Sequence, residues 1–225
     1  MNSRFLTSRQ RILATALPVW GLLALLPQGR SSARLVRGWA RLILRLSGCP
    51  LTVGGVVPAS ESRPLVFVAN HASYIDAVVL IAALPADIRF VGKREILRWP
   101  AVGTALRKAG HLAVEREETA RAVSETQRIE EVLRDGFSLA FFPEGTFTAA
   151  AGLRPFRLGA FKIASATGRP ICPVTIRGTR RFLPDRAWLP RWSRFHVVFG
   201  SLLKPQGTTW EEAVRLRDKA REEIS

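Results

Sequence analysis

The 225 residues predict an α/β fold, with a mostly parallel central sheet flanked by helices. From residue 64 onward, short runs that are apolar at every position alternate with segments of helical periodicity. A strand that is apolar throughout is buried on both faces, which is typical of a parallel sheet covered by helices. The length fits one such domain, and 47% apolar residues suffice for a core, so an intrinsically disordered chain is excluded.

The predicted strands and helices alternate along the body of the chain. The strands are expected at 65–69, 88–91, 111–114, 138–142, 171–176 and 196–199. The helices are expected at 74–84, 101–108, 119–134, 156–166 and 209–223. Ligands of such sheets bind beyond the carboxyl ends of the strands, so the loops that follow the strands are expected to carry the site.

Positive charge is concentrated at the beginning of the chain. The formal net charge is +16, and residues 1–60 contain no acidic residue and eight arginines: Arg4, Arg9, Arg11, Arg30, Arg34, Arg37, Arg41 and Arg45. A basic surface of this kind attracts polyanions, which include nucleic acid and anionic lipid headgroups. The apolar residues between the arginines favour lipid, and the chain carries no nucleic-acid-binding motif.

A cationic amphipathic helix is predicted between residues 31 and 48. Large apolar side chains recur at steps of three and four residues on one stripe (Leu35, Trp39, Leu42, Ile43 and Leu46), and four of the arginines recur on another. Ser31 or Ser32 can cap its start, and Gly48 can end it. The pattern leaves two possibilities open: the apolar stripe lies in a membrane interface, or it packs on the protein's own domain.

A strongly apolar run, 12–26, precedes this helix. A membrane span needs roughly 20 apolar residues, so this run of 15 is short for a crossing and favours an interfacial or re-entrant segment. A signal peptide cleaved near 31–33 is the alternative, which the arginines after the run and the low cysteine content oppose. We therefore predict a membrane-associating helical segment over 1–48, on the cytoplasmic face of the inner membrane, and one domain over 49–225.

The cysteines and histidines set limits on the chemistry. Cys49 and Cys172 cannot form a disulfide framework, which indicates a reducing compartment. His71, His111 and His196 are scattered along the chain, without the spacing of a metal site. We therefore expect a reaction that uses neither a metal nor a cofactor.

The loop after the first predicted strand contains a histidine and an aspartate five positions apart. In a continuous helix His71 and Asp76 would be separated by about 140° and could not meet, so a break must intervene. With Ser73 as N-cap, Asp76 falls in the first helical turn, where its carboxylate can fold back toward the imidazole. Two ordinary interpretations compete with a catalytic pair: a capping interaction between Ser73 and Asp76, and a loop histidine with a structural hydrogen bond.

Further polar segments follow the later strands. They are VGKREI at 91–96, HLAVER at 111–116, FFPEGTF at 141–147 and ICPVTIRGT at 171–179. Together with the loop at 70–76, their order and spacing resemble the glycerolipid acyltransferase family over roughly residues 50–205. Several ordered blocks are a far more specific signal than a single motif.

This resemblance implies catalysis by the first block. His71 would be the general base for an acceptor hydroxyl, and Asp76 would orient the ring and support the imidazolium, a role suited to a group that titrates near neutrality. The acceptor oxygen would attack a thioester carbonyl directly, without a serine nucleophile. Backbone N–H groups in the loop 144–146 could stabilise the oxyanion.

The resemblance also implies the binding residues. Lys93 and Arg116 would contact the acceptor's phosphate, and Glu144, Gly145 and Thr146 would line the glycerol or phosphate pocket. Pro173 and Val174 match a block linked to the acyl-donor side. Solvated surface charges and a strand followed by a tight turn are the ordinary interpretations of the same residues.

The sequence departs from the family pattern at two places. Glu115 stands where many members carry Asp. Phe147 and Thr148, followed by three alanines at 149–151, stand where many members carry Arg or Ser and more polar residues. The lost cation weakens the expectation of a phosphate-bearing acceptor, and members that act on lyso-ornithine lipids share the same blocks.

The expected function is acyl transfer from acyl-CoA or acyl-ACP to the free hydroxyl of a lysophospholipid at a membrane surface. The favoured acceptor is 1-acylglycerol-3-phosphate, which would give phosphatidic acid, and another lyso-lipid such as lyso-ornithine lipid is the alternative. A different class also stays open: a non-catalytic basic protein that binds a membrane surface or nucleic acid. A nucleic-acid partner is not expected.

Overall fold

The structure is a computed structural model that describes residues 22, 25–58, 64–84, 88–93, 100–114, 119–148, 152–185 and 189–225. Its strands are β1 (Leu51–Gly55), β2 (Val66–Ala69), β3 (Ile88–Lys93), β4 (Leu112–Val114), β5 (Ser138–Phe141), β6 (Ile171–Arg177) and β7 (Phe195–Phe199). Its helices are α1 (Arg30–Leu46), α2 (Asp76–Ala83), α3 (Pro100–Lys108), α4 (Thr119–Arg134), α5 (Gly159–Thr167), α6 (Thr179–Phe182) and α7 (Trp210–Ile224).

The described strands form one seven-stranded sheet in the order β1-β7-β6-β2-β5-β3-β4. The five strands from β6 to β4 are mutually parallel, β7 runs antiparallel to β6, and β1 is parallel to β7. The prediction of a mostly parallel sheet is therefore confirmed. The carboxyl ends of all five parallel strands lie along one edge, where the sequence analysis expects the site; after that expectation we call it the catalytic edge.

Helices cover both faces of the sheet. On one face, α1 and α2 pack over β2, β6 and β7 around Phe67 and Leu80. On the other face, α5 and α7 pack over β2 and β6 around Phe161 and Leu216. The side chains of β2 are completely buried because they alternate between these two cores, as the uniformly apolar run predicted.

Most of the predicted elements are present, with ends shifted by a few residues. The sequence analysis missed β1 and α6, which are short and lack clear periodicity. It also did not predict that β1 and β7 run against the other five strands. Both free cysteines, Cys49 and Cys172, are buried, and burial, reinforced by Glu223, raises the pKa of the Cys172 thiol to about 12.

Helix α1 packs on the domain with a face that the sequence analysis did not select. The buried apolar residues of this helix are Ala33, Val36, Ala40 and Leu44. Leu42, from the stripe of large apolar residues, is 38% exposed, and the other members of that stripe are half-buried. Small side chains let the helix approach α2 and α3 closely, so they form the contact with the domain. The large apolar stripe lies beside this contact.

The predicted N-terminal segment, 1–48, therefore has two parts that must be distinguished: α1 and the apolar run before it. Ala40 and Leu44 belong to the main core, so α1 packs against the domain that was predicted to begin at residue 49. Most of the apolar run 12–26 lies outside the described residues. No helix within the described ranges has the length and apolar character needed to cross a bilayer.

Arg89 and His111 form a polar cluster between β3 and the end of α3. The Arg89 guanidinium lies 4.1 Å from the Phe137 ring centroid and donates to the Ala109 carbonyl. His111 accepts a hydrogen bond from the Phe90 N–H at its Nδ1, 3.0 Å away, and its Nε2 is buried without a partner among the described residues. Burial, and then the charge of Arg89, lowers the pKa of His111 to about 3.

This pKa predicts an acid-sensitive fold. The unfolded chain binds a proton at His111 near pH 6.5, whereas the folded chain resists protonation until about pH 3. The stability that comes from the neutral ring is present above pH 6.5 and is lost progressively as the pH falls. Between about pH 7 and pH 5, His111 should lower the unfolding free energy of the parent protein by about 2 kcal/mol. His111→Asn keeps an acceptor for the Phe90 N–H but cannot be protonated, so the variant should not show this part of the loss. Urea titrations at both pH values measure it, and an unchanged loss in the variant would refute this account.

Candidate active site

The loop after β2 is fixed to the neighbouring strand at the catalytic edge. The Asn70 side-chain amide donates to the Ile176 carbonyl over 2.9 Å, and its oxygen accepts from the Ile176 N–H over 2.6 Å. These two hydrogen bonds continue the pairing of β2 with β6 beyond Ala69, with the Asn70 side chain in place of the backbone. The next residue, His71, therefore begins from a fixed position.

The His71 imidazole contacts the Asp76 carboxylate directly. Nδ1 of His71 lies 2.8 Å from Oδ2 of Asp76, which is completely buried, and the His71 side chain is 17% exposed. A carboxylate oxygen accepts hydrogen bonds, so the ring proton sits on Nδ1 and the lone pair is on Nε2. The arrangement gives the ring a single basic nitrogen for a reacting group.

The carboxylate also holds the backbone of the loop. Oδ2 of Asp76 accepts from the N–H groups of Ala72 and Ser73, over 2.6 Å and 2.8 Å. Three donors therefore converge on one oxygen, and this folds the chain back as the sequence analysis expected. Ser73 is not the N-cap, because α2 begins at Asp76 after Ile75, but the expected interaction between Ser73 and Asp76 is present through the Ser73 N–H. The Ser73 hydroxyl accepts from the Ile75 N–H over 3.4 Å and donates to the Leu183 carbonyl, 2.7 Å away.

Glu144 braces the loop from the end of β5. Its carboxylate is 4% exposed, accepts from the His71 N–H over 2.7 Å, and accepts from the Arg154 N–H over 2.8 Å. Both oxygens are thus engaged by backbone donors. The carboxylate joins the loop of His71 to the segment that leads into α5.

Aromatic rings enclose the imidazole on two sides. The Phe142 ring stacks on His71 with centroids 4.3 Å apart and planes at 18°. The Phe147 ring meets His71 edge-on at 4.7 Å, and the Tyr74 ring packs on Phe147, also at 4.7 Å. These contacts restrict rotation of the imidazole and make one wall of the site apolar.

The remaining predicted site residues lie at the same edge or outside the described part of the chain. Lys93 is the last residue of β3, aligned with Val114 of β4, so its backbone lies at the catalytic edge. Gly145 adopts a φ of 75° and donates its N–H to the Phe142 carbonyl, 2.9 Å away. Thr146 is exposed. Arg116 lies outside the described residues, so its predicted contact with the acceptor stays a prediction.

The sequence analysis missed the supporting residues of the site. It named Asn70 only as part of the loop, and it gave no structural role to Phe142. The partners of Asn70 and Glu144 are 106 and 73 residues away along the chain, so no local pattern could reveal them. An aromatic residue on each side of the PEGT segment was the available signal for the rings around His71.

Comparisons with known proteins identify relatives of this chain. A family model described as Acyltransferase matches residues 51–177. A chloroplastic 1-acyl-sn-glycerol-3-phosphate acyltransferase of Brassica napus is 36% identical over 57% of this chain and 37% of its own length. A 1-acyl-sn-glycerol-3-phosphate acyltransferase of Cocos nucifera is 29% identical over 86% of this chain and 64% of its own. A lyso-ornithine lipid O-acyltransferase of Pseudomonas aeruginosa is 35% identical over 68% and 57%, respectively.

A solved structure shows the same fold. The crystal structure of the 1-acyl-sn-glycerophosphate acyltransferase PlsC from Thermotoga maritima superposes with a TM-score of 0.73 at 21% identity, and covers 97% of this chain and 90% of its own. The chain spans between about a third and two thirds of the length of the three curated relatives above. Because the family model covers more than half of the sequence, including the loop of His71 and Asp76, this protein belongs to the acyltransferase family.

Proposed function

We propose that this protein transfers a fatty acyl group from a thioester, carried by coenzyme A or acyl carrier protein, to the free hydroxyl of a lysophospholipid. The observation that carries the proposal is the contact between Nδ1 of His71 and Oδ2 of Asp76, 2.8 Å long, at the edge where parallel strands end. It leaves Nε2 of a half-buried ring as a base beside a solvent-accessible site.

The reaction needs one proton to move twice. Nε2 of His71 takes the proton of the acceptor hydroxyl while that oxygen attacks the thioester carbonyl carbon. The buried Asp76 carboxylate stabilises the imidazolium that results. When the tetrahedral intermediate collapses, the carbon–sulfur bond breaks and the thiolate leaves with the proton from His71. The ester product and the free thiol balance the reaction without an additional nucleophile.

The oxyanion of the intermediate requires hydrogen-bond donors near His71. The N–H of Gly145 is turned toward the Phe142 carbonyl and is occupied. The backbone N–H of Thr146 donates to no acceptor within the described contacts, and Thr146 precedes the ring that touches His71. We assign the Thr146 N–H as a donor to the oxyanion, which is worth about 10²–10³-fold in kcat for such groups.

Two acceptors are candidates, and different observations favour them. The predicted cations Lys93 and Arg116 favour 1-acylglycerol-3-phosphate, because a phosphate monoester needs fixed positive charge. The aromatic wall of Phe147 and Tyr74 beside His71 supplies no charge, and this favours a lyso-lipid without a phosphate monoester, such as lyso-ornithine lipid. 1-Acylglycerol-3-phosphate is the leading candidate.

The test is an acyl-transfer assay with purified protein, both acyl donors and a panel of lyso-lipid acceptors. His71→Ala should lower kcat by about 10²–10⁴-fold, because it removes the base while membrane association continues. The matched control is His196→Ala, since the His196 side chain is exposed and its ring forms a hydrogen bond with the Thr52 hydroxyl, 2.6 Å away. Full transfer by the His71 variant would eliminate His71 as the catalytic base. Absence of transfer by the parent protein, with every donor and acceptor, would favour a non-catalytic basic protein.

Glu144 should act as a positioning residue. Glu144→Gln retains one acceptor oxygen for two backbone donors, so one buried N–H loses its partner at about 1–3 kcal/mol. We expect a lower thermal midpoint and a kcat reduced about tenfold or more, with the KM for the acceptor nearly unchanged. A raised acceptor KM with unchanged stability would instead indicate direct contact with the substrate, the role that the family resemblance implied.

We further propose that the protein works on the cytoplasmic face of the inner membrane, with α1 at the interface. Leu42 is 38% exposed, and the exposed arginines of α1 occupy the neighbouring stripe. This combination suits a helix that lies among lipid headgroups and places its apolar side chains at the acyl boundary.

A single charge on α1 tests that orientation. Leu42→Glu should weaken binding to anionic vesicles by about fivefold or more, because it places a carboxylate among anionic headgroups. Val198→Glu is the matched control, since Val198 is 42% exposed on the opposite face of the sheet. Equal losses of vesicle binding for both variants, measured by co-sedimentation, would contradict the proposed orientation.

A further inference from the structure

A second apolar and cationic surface lies far from α1 in sequence. The segment 189–194 exposes Leu189 and Trp192, with 53% and 46% of their surfaces accessible. The side chains of Arg191 and Arg194 are also exposed. We call these four residues the 189–194 patch.

The fold places this patch beside the end of α1. The Trp192 indole N–H donates to the Gly48 carbonyl, 2.8 Å away, and the Phe195 N–H donates to the Pro50 carbonyl over 2.9 Å. Gly48 and Pro50 belong to the turn that follows α1. The two cationic, apolar segments are therefore neighbours, although 144 residues separate Trp192 from Gly48.

The same segment is tied to the catalytic loop. The Arg191 N–H donates to the Phe182 carbonyl over 2.7 Å, and the next carbonyl, that of Leu183, accepts from the Ser73 hydroxyl. At the far end, the Ser193 hydroxyl donates to the Gly178 carbonyl over 2.8 Å. The patch is thus held in a fixed position at the catalytic edge.

The side chains of the patch have the chemistry of a membrane interface. An exposed tryptophan with its N–H satisfied, an exposed leucine and two arginines combine an apolar surface with charges for anionic headgroups. The Arg194 guanidinium lies 5.7 Å from the centroid of the Trp192 ring. Within the described residues, neither Arg191 nor Arg194 forms an ion pair with a carboxylate, so their charge is available to a partner.

We propose that the 189–194 patch is a second membrane contact, which binds anionic lipid headgroups through Arg191 and Arg194 and places Trp192 and Leu189 at the acyl boundary. Together with the end of α1, it turns the catalytic edge toward the bilayer that supplies the acceptor. This inference rests on the proposed function, because a lipid acceptor is the reason for that orientation.

The exposed apolar side chains favour a lipid surface over two other anionic partners. A nucleotide such as the one in coenzyme A needs a concave site, and neither described cavity is lined by a residue of the patch. An acidic carrier protein would need only the arginines, so it would not account for the exposed apolar side chains. The exposed Trp192 and Leu189 therefore favour a lipid surface as the partner.

Fluorescence quenching by brominated phosphatidylglycerol vesicles tests the contact with the full chain. Trp192→Phe should lose a clear part of the quenchable emission. The control is Trp210→Phe. Trp210 is 55% exposed and begins α7, which covers the face of the sheet opposite α1, and the Lys162 ammonium lies over its ring. Trp210→Phe should leave the quenched emission unchanged. The proposal is overturned if Trp192→Phe leaves the quenched emission unchanged as well.

A charge reversal supplies the second, independent measurement. Arg191→Glu with Arg194→Glu should weaken vesicle affinity at least about tenfold, whereas Lys219→Glu with Arg221→Glu on α7 should change it less than about twofold. Transfer from acyl-CoA to a monomeric short-chain acceptor should be the same for both double variants. Equal vesicle affinity for the two, or a loss confined to transfer from acyl carrier protein, would overturn the lipid assignment. If the parent protein shows no transfer, the proposed function fails, while the quenching result still decides the membrane contact.

Discussion

The candidate site depends on one carboxylate oxygen. Oδ2 of Asp76 accepts from the His71 ring and from two backbone N–H groups, at distances of 2.6 to 2.8 Å. Because Asp76 is fully buried, water cannot compete for that oxygen. The same interaction therefore folds the loop, starts α2 and selects the ring tautomer. Removing this charge would change the loop geometry and the basic nitrogen together.

The surrounding structure holds that interaction at the edge of the sheet. Asn70 fixes the start of the loop to β6, Ser73 fixes its middle to the segment after α6, and Glu144 fixes the His71 backbone to the end of β5. Contacts with two strands and with the segment after α6 thus define the position of a single imidazole. Preorganisation of this kind keeps a base within reach of a bound hydroxyl without reordering during the reaction. The proposed lipid contacts extend the same logic to the orientation of the whole protein.

The sequence was sufficient for the order of the elements and for the His71–Asp76 pair. Uniformly apolar strands predict a covered parallel sheet, and a histidine and aspartate in one short loop form a local pattern. Strand β1 was not predictable, since LTVGG carries neither an apolar run nor clean alternation. Strand β7 was predicted, but no local pattern gives its antiparallel direction. The sequence left open where the large apolar stripe of α1 lies. It did not reveal the contact face of α1, because the close approach of packed helices favours the smaller side chains of Ala33, Val36 and Ala40. The contacts of Asn70 and Glu144 depend on tertiary folding alone.

The tautomer of His71 tests the central claim most directly. Nitrogen-15 NMR of the neutral ring distinguishes a protonated ring nitrogen from one that carries a lone pair. The account predicts a proton on Nδ1 and a lone pair on Nε2 in the parent protein, with loss of that preference in Asp76→Ala. A ring protonated at Nε2, or the same tautomer in both proteins, would contradict the assignment of His71 as the base.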